Sequence, residues 1–189
     1  MGREMELKFS ATAQLQQQLR DRFGPFQSLE MESTYFDTPT CALSQQRITL
    51  RLRKENGISI CTLKTPLPDG SRGEWECQAD SIQDGVQHLL RLGAPAIPQA
   101  DLLRPRCGAK FTRLATLVQT ADGTAELALD AGILTGGDCQ IPLCEVEVEL
   151  KTGSDAACMA FAGALATQYG LTPESRSKFQ RANALAQGE

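Results

Sequence analysis

At 189 residues the chain lies in the size range of one domain and is long enough to bury a sizeable core. It carries 19 Lys and Arg against 23 Asp and Glu, a net charge of -4, which argues against nucleic acid as the main partner. It has no run of about 18 apolar residues to cross a membrane, no apolar signal region in its opening MGREMELKF, and seven cysteines without C-x-x-C spacing, which fits reduced thiols in a cytoplasmic protein and not a disulfide framework or zinc site.

The first pattern in the chain is Glu4-Met5-Glu6-Leu7-Lys8. Strand side chains alternate with a period of two, so Glu4, Glu6 and Lys8 share one face, and Met5 and Leu7 the other. A helix capped by Ser10 is expected next, with Leu15, Leu19 and Phe23 at helical spacing and a stop at Gly24. Over 46–55, Arg47, Thr49, Arg51 and Arg53 alternate with Ile48, Leu50 and Leu52. Glu55-Asn56-Gly57 reads as a hairpin turn into a strand over 58–65, with Thr62 and Lys64 in phase. The segment 67–71 (LPDGS) is a second turn, after which Arg72, Glu74 and Glu76 alternate with Gly73, Trp75 and Cys77.

Ser81 and Asp84 mark the start of a second helix, which carries Ile82, Val86, Leu89 and Leu90 and stops at Gly93. The stretch 94–107 holds three prolines and yields no element. Strands over 110–119 and 124–131 flank Ala121-Asp122-Gly123, with Glu126 and Asp130 in phase on the second. Glu145, Glu147 and Glu149 then share one strand face, opposite Val146, Val148 and Leu150. A third helix runs from near Ser154 to Gly170, and a short fourth helical segment is expected over 177–186.

Many strands joined by short turns indicate an antiparallel meander. The amphipathic helices need apolar partners, and the apolar strand faces supply them. If helices cover those faces from outside, the charged faces meet in a polar lumen, as in a barrel. An open sheet with one wet face alternates in the same way and is the plainer alternative. Two acidic combs repel themselves unless a cation sits between them, and oxygen donors suit a hard divalent ion.

Eight motifs, in order, resemble the CYTH superfamily, the triphosphate tunnel metalloenzymes. They are Glu4-x-Glu6-x-Lys8, Tyr35-Phe36-Asp37-Thr38-Pro39, Leu50-Arg51-Leu52-Arg53, Thr62-Leu63-Lys64, Arg72-x-Glu74-x-Glu76, Leu129-Asp130-x-Gly132, Glu145-x-Glu147-x-Glu149 and Ser177-Lys178. The resemblance spans nearly the whole chain and implies one CYTH domain over 1–189. Its fold would be α+β and mainly antiparallel, a closed β-barrel tunnel of about eight strands with amphipathic helices packed outside. It implies that Glu4, Glu6, Glu145, Glu147 and Glu149 hold Mg²⁺ or Mn²⁺. Lys8, Arg51, Arg53, Lys64, Arg113 and Lys178 would bind phosphate, with Arg72, Glu74, Glu76 and Asp130 in support. Catalysis would rest on Glu4, Glu6, Lys8, Glu147 and Glu149, with a lumen glutamate, or Lys8 with a lowered pKa, taking the proton of the attacking water.

The activity implied is hydrolysis of inorganic tripolyphosphate to pyrophosphate and phosphate. Class IV adenylate cyclase, thiamine or nucleoside triphosphatase and a non-catalytic polyphosphate-binding module are the alternatives. The segments PLCEVEVEL and SRSKFQRA look most like bacterial CYTH domains fused to a C-terminal CHAD domain, so the chain is expected to be a stand-alone version or an excised N-terminal domain. Trp75 is expected to face outward against a helix, and the other aromatic residues to lie mostly away from the lumen, leaving little to stack a nucleobase. His88 reads as a surface residue, Asp37 as a strand-ending turn, Arg47 as solvent-exposed and Ser177 as either a helix cap or a phosphate contact.

Overall fold

The structure, a computed structural model, describes residues 5–68 and 72–188, and residues 2 and 3 by their backbone alone. Glu4 and residues 69–71 of the expected turn lie outside the described residues. Ten strands form one antiparallel sheet: β1 (Gly2–Arg3), β2 (Glu6–Ser10), β3 (Gln27–Asp37), β4 (Thr49–Glu55), β5 (Ile58–Pro66), β6 (Arg72–Gln78), β7 (Arg104–Gln119), β8 (Thr124–Gly136), β9 (Cys139–Thr152) and β10 (Thr172–Pro173). Five helices accompany them: α1 (Ala13–Phe23), α2 (Ala42–Gln45), α3 (Ile82–Arg91), α4 (Asp155–Tyr169) and α5 (Lys178–Gln187). The fold is α+β and mainly antiparallel, as expected. No helix among the described residues is long and apolar enough to cross a membrane.

The strand order is β1-β6-β5-β4-β3-β7-β8-β9-β2-β10, and among the described residues hydrogen bonds do not close it into a ring. The expected closed eight-stranded barrel is therefore not shown; the described strands form a ten-stranded sheet. Its two ends are nevertheless tied by one stretch of chain, because β1 pairs with β6 and β2, just after it, pairs with β9.

The convex face is apolar. Leu127 and Leu129 of β8, and Val146 and Val148 of β9, pack against Leu19 of α1 and Cys158, Ala162 and Leu165 of α4. Leu50 and Leu63 pack against Ile82, Val86 and Leu89 of α3, with Trp75 at the margin, on the outward face expected for it. Ser81 caps α3 and Ser154 caps α4, each accepting from a backbone N–H three residues on. The cap of α1 is Thr12, not Ser10, because Ser10 is still paired in the sheet with Glu145 and Thr172. The hairpin at Asn56-Gly57 turns with both φ angles positive, 47° and 86°. His88 and Arg47 are exposed. Asp37 accepts from the N–H groups of Thr38, Leu43 and Ser44, which fixes the turn into α2.

The placement of α5 corrects the expectation that the helices pack outside. Its Phe179 and Ala182 touch Met31, Tyr35, Cys107, Ala109, Phe111, Leu134 and Leu143. Leu143 is in phase with Glu145 and Glu147, and Leu134 with Asp130, so α5 lies on the charged, concave face of the sheet. It approaches β8 so closely that a methyl group at Gly136 would run into the backbone of Ala182 and Ala186. Gly136→Ala is therefore expected to lose about 1–3 kcal/mol of stability in denaturant unfolding. Hydrogen exchange should speed up selectively over residues 178–187, while α1 and α4 keep their protection.

Candidate functional site

The concave face encloses a cavity of about 530 Å³. The period of two delivers its lining: Glu6 and Lys8 from β2, Arg51 and Arg53 from β4, Thr62 and Lys64 from β5, Arg72, Glu74 and Glu76 from β6, Arg113 from β7, Glu126 from β8, and Glu147, Glu149 and Lys151 from β9. The first residues of α5 complete it, with Lys178 and Phe179 in the wall. Of the residues singled out in the sequence, Asp130 and Glu145 stand behind the lining, fully buried. The rest of those described share this one cavity. Of the two roles weighed for Ser177, the helix cap is present, as a reciprocal capping box with Gln180 at the start of α5, and the residue also lines the cavity.

At one end lies a buried ion cluster. The Lys178 ammonium is 2.7 Å from Asp130 Oδ2 and 2.7 Å from Glu147 Oε1, and it also pairs with Glu145. Arg113 grips Asp130 with two 2.8 Å hydrogen bonds and pairs with Glu147. Arg181, one turn along α5, pairs with the other oxygen of Glu145. Burial works against the charge on Lys178, but Glu147, Asp130 and Glu145 outweigh it and raise its pKa. Burial would likewise raise the Glu147 carboxyl, yet Lys178, Arg113 and Lys8 hold it well below the usual carboxylate range. For Glu145 burial prevails and its pKa is raised. The carboxylate oxygens of Asp130, Glu145 and Glu147 lie within 4.8 Å of one another, close enough to share a metal ion, but the position between them is taken by the Lys178 ammonium.

A second group runs across three neighbouring strands. Glu6 faces Glu149, and Glu149 faces Glu126, in direct register. Lys8 lies 3.0 Å from Glu6, and Lys151 2.9 Å from Glu149. Burial lowers the Lys8 pKa, but Glu6 and Glu147 raise it further, so the ammonium keeps its proton. That is opposite to the lowered pKa that would make Lys8 a base. These carboxylates are hard oxygen donors facing a wet cavity, and they suit a hard divalent cation. Charge count points the same way: the lining holds eight Lys or Arg and seven Glu, so a highly charged anion entering it stays under-neutralised without added cations.

The third group is the basic wall opposite. Lys64 pairs with Glu74 at 3.3 Å. Arg51 and Arg53 come no closer than 3.7 and 3.9 Å to Glu76, and the Nε of each is buried without a hydrogen-bond partner among the described residues. Burial and the neighbouring Arg51 lower the pKa of Arg53 despite Glu76 and Glu55. Arg53 also pairs with Glu55 at 3.3 Å, yet each guanidinium keeps an unpartnered Nε, a donor that suits an anion.

Tyr35, Phe111 and Phe179 also line the cavity, which corrects the expectation that few aromatic residues do. Tyr35 and Phe179 pack ring to ring at 5.3 Å, and Lys178 sits 5.0 Å from the Phe111 ring centre. All three are less than 10% exposed, so no ring face is open for stacking. Glu126, Thr62, Lys151 and Arg181 were not placed in the site from sequence. Glu126 was visible as in phase with Asp130, Thr62 as in phase with Lys64, and Lys151 as in phase with Glu149. Arg181 follows Lys178 by three residues, one helical turn on the same side.

A family model described as the CYTH domain matches residues 2–182. The chain is 29% identical to an inorganic triphosphatase of Haemophilus influenzae over 96% of its length, but spans only 54% of that relative. Among solved structures it resembles a putative adenylate cyclase from Bacillus halodurans (19% identity, TM-score 0.65, covering 96% of this chain and 98% of that one). It also resembles a putative adenylyl cyclase from Hippeastrum with a dominant triphosphatase activity (18% identity, TM-score 0.62, covering 98% of this chain and 95% of that one). At these identities the structural likeness is one of fold. The match along nearly the whole sequence, joined to this architecture, places the chain in the CYTH domain family.

Proposed function

We propose that the chain hydrolyses inorganic tripolyphosphate to pyrophosphate and phosphate in this cavity, with Mg²⁺ or Mn²⁺ as cofactor. The observation that carries the reading is the pair Arg51 and Arg53, half-buried guanidiniums whose Nε atoms are buried without a partner among the described residues, set opposite a row of carboxylates. The barrel-like cavity would act as the tunnel of the family, and residues 1–189 as one functional domain. The curated relative is nearly twice as long, and a C-terminal CHAD module in the full protein belongs to the same proposal.

Tripolyphosphate carries about four negative charges near neutral pH, each spread over oxygens that want donors. Arg51 and Arg53 offer planar forks, and Lys64 and Lys8 point charges, so terminal and bridging oxygens both find partners. Glu6, Glu147 and Glu149 would hold the divalent ion, with Glu4 outside the described residues. When bound, the ion supplies charge neutralisation at the phosphoryl oxygens. The chain itself positions the anion and keeps it in line, which is most of what phosphoryl transfer asks of a protein. Lys8 stays charged and stabilises the transferred group. Glu6 or Glu149, the half-buried members of the carboxylate row, would take the proton from water through an oxygen not engaged by the ion. The buried aromatic floor keeps bulk water from that end.

Incubating the pure protein with tripolyphosphate, ATP or thiamine triphosphate in Mg²⁺ or Mn²⁺, and resolving the products, tests this. Tripolyphosphate should give pyrophosphate and phosphate with a kcat/KM at least ~10-fold above ATP, a margin of about 1.4 kcal/mol. Cyclic AMP as the main product from ATP, or ATP preferred over tripolyphosphate, would move the activity to the cyclase or nucleotidase branch. The carboxylates should separate in a second measurement. Glu6→Gln and Glu149→Gln are expected to cut kcat/KM by at least ~100-fold with the melting temperature little changed. Glu147→Gln should lose activity and also about 3 kcal/mol of stability, because Lys178 and Arg113 are left buried and under-neutralised. Equal melting temperatures in all three variants would contradict that split.

A further inference from the structure

Arg51, Thr62 and Glu76 sit side by side on β4, β5 and β6 in direct register, all facing the cavity. Thr62 is 1% exposed, and its hydroxyl donates to Glu76 Oε1 at 2.7 Å. A hydroxyl has one proton, so with that proton committed Thr62 turns lone pairs toward Arg51, whose Nη2 donates to it at 3.3 Å. Glu76 is thus held by Thr62 and stays 3.7 Å from the Arg51 guanidinium, beyond hydrogen-bond length. The contrast within the same cavity is Arg113, which closes on Asp130 with two bonds of 2.8 Å.

We propose that Thr62 is a positioning residue: by occupying the Glu76 carboxylate it stops Glu76 from closing on Arg51, and so keeps the Arg51 fork available to the triphosphate. Glu76 is close enough to lower the cost of burying two guanidiniums two residues apart, yet it does not spend their donors. Thr62 is the spacer that sets that distance. Without the hydroxyl, Glu76 loses its acceptor site's partner and the nearest replacement donor is the Arg51 Nη2. A bidentate pair then forms in the place where a phosphate oxygen belongs. The assignment of the phosphate site rests on the function proposed above, whereas the relay itself does not.

The test uses four variants of the full chain: Thr62→Val, which keeps the shape and removes the hydroxyl, Thr62→Ser, Glu76→Gln, and the double variant Thr62→Val with Glu76→Gln. Thr62→Val should raise the KM for tripolyphosphate about 10-fold with kcat within about 3-fold of the parent, and Thr62→Ser should stay within about 2-fold. In the double variant the KM should return to that of Glu76→Gln alone, because a neutral amide no longer competes for Arg51. A merely structural role for Thr62 predicts no such rescue. A crystal structure of Thr62→Val should place a Glu76 oxygen within about 3.0 Å of Arg51 Nη2. An unchanged KM, a double variant no better than Thr62→Val, or an unmoved Glu76 overturns the proposal. If the unsubstituted protein neither binds nor cleaves tripolyphosphate, the functional reading fails, and the Arg51–Glu76 distance in Thr62→Val still decides the relay.

Discussion

Three carboxylates and three cations are buried together on the concave face: Asp130, Glu145 and Glu147 with Arg113, Lys178 and Arg181. Isolated charges in that position would each cost several kcal/mol, so neither half can exist without the other. The carboxylates come from the neighbouring paired strands β8 and β9, and two of the cations come from α5. The helix is therefore pinned to one place on the sheet by Lys178 and Arg181, one turn apart, while Phe179 and Ala182 fill the apolar ground beside them. Everything functional in the fold follows from where α5 is held. It closes one end of the cavity, buries Tyr35 and Phe111, and uses up the Lys178 ammonium as structure.

The cations of the cavity consequently divide into two classes. Lys178 spends its ammonium, and Arg113 its Nε and Nη2, on carboxylates, with bonds of 2.7–2.8 Å to Asp130 and Glu147, and these carboxylates hold both charges on. Among the described residues, Arg51 and Arg53 have acidic neighbours only at 3.3–3.9 Å, and each keeps a buried Nε unsatisfied. A ligand anion gains most where donors are unspent, because no existing bond must be broken first. The near balance of acid and base around the cavity adds a further constraint. It lets the empty site be stable, and under the proposed function an entering polyanion would need added cations for neutrality.

Much of this was legible in the sequence because strand periodicity is simple. Alternation alone assigned Glu6, Arg51, Arg53, Lys64, Glu74, Glu76, Glu147 and Glu149 to one face, and the cavity is lined by all of them. The caps at Ser81, Ser154 and Ser177 were readable from local chemistry. What was hidden is tertiary. In β3, Leu29, Met31 and Tyr35 alternate as a strand should, yet their apolar side faces inward because α5 is there to cover it. Period two cannot reveal that a face changes from charged to apolar partway along, as β9 does between Glu145 and Leu143. Likewise nothing local distinguishes Glu145, held behind the cavity by Lys178 and Arg181, from Glu149, which opens into it. The single-turn α2 and the start of β7, residues 104–109 in the proline-rich stretch, escaped because their stability comes from neighbours: α2 hangs on Asp37, and β7 is paired along both edges by β3 and β8.

On this reading the cavity divides its cations between scaffold and ligand. A crystal structure of the protein with tripolyphosphate bound, solved with a divalent ion that does not support turnover, measures that division directly. The account predicts phosphate oxygens within about 3 Å of the Arg51 and Arg53 guanidiniums, with the Lys178 ammonium still held by Asp130, Glu145 and Glu147 and α5 unmoved. An anion that binds by pulling Lys178 out of its carboxylates, or that binds outside the cavity and leaves both arginines untouched, would contradict it.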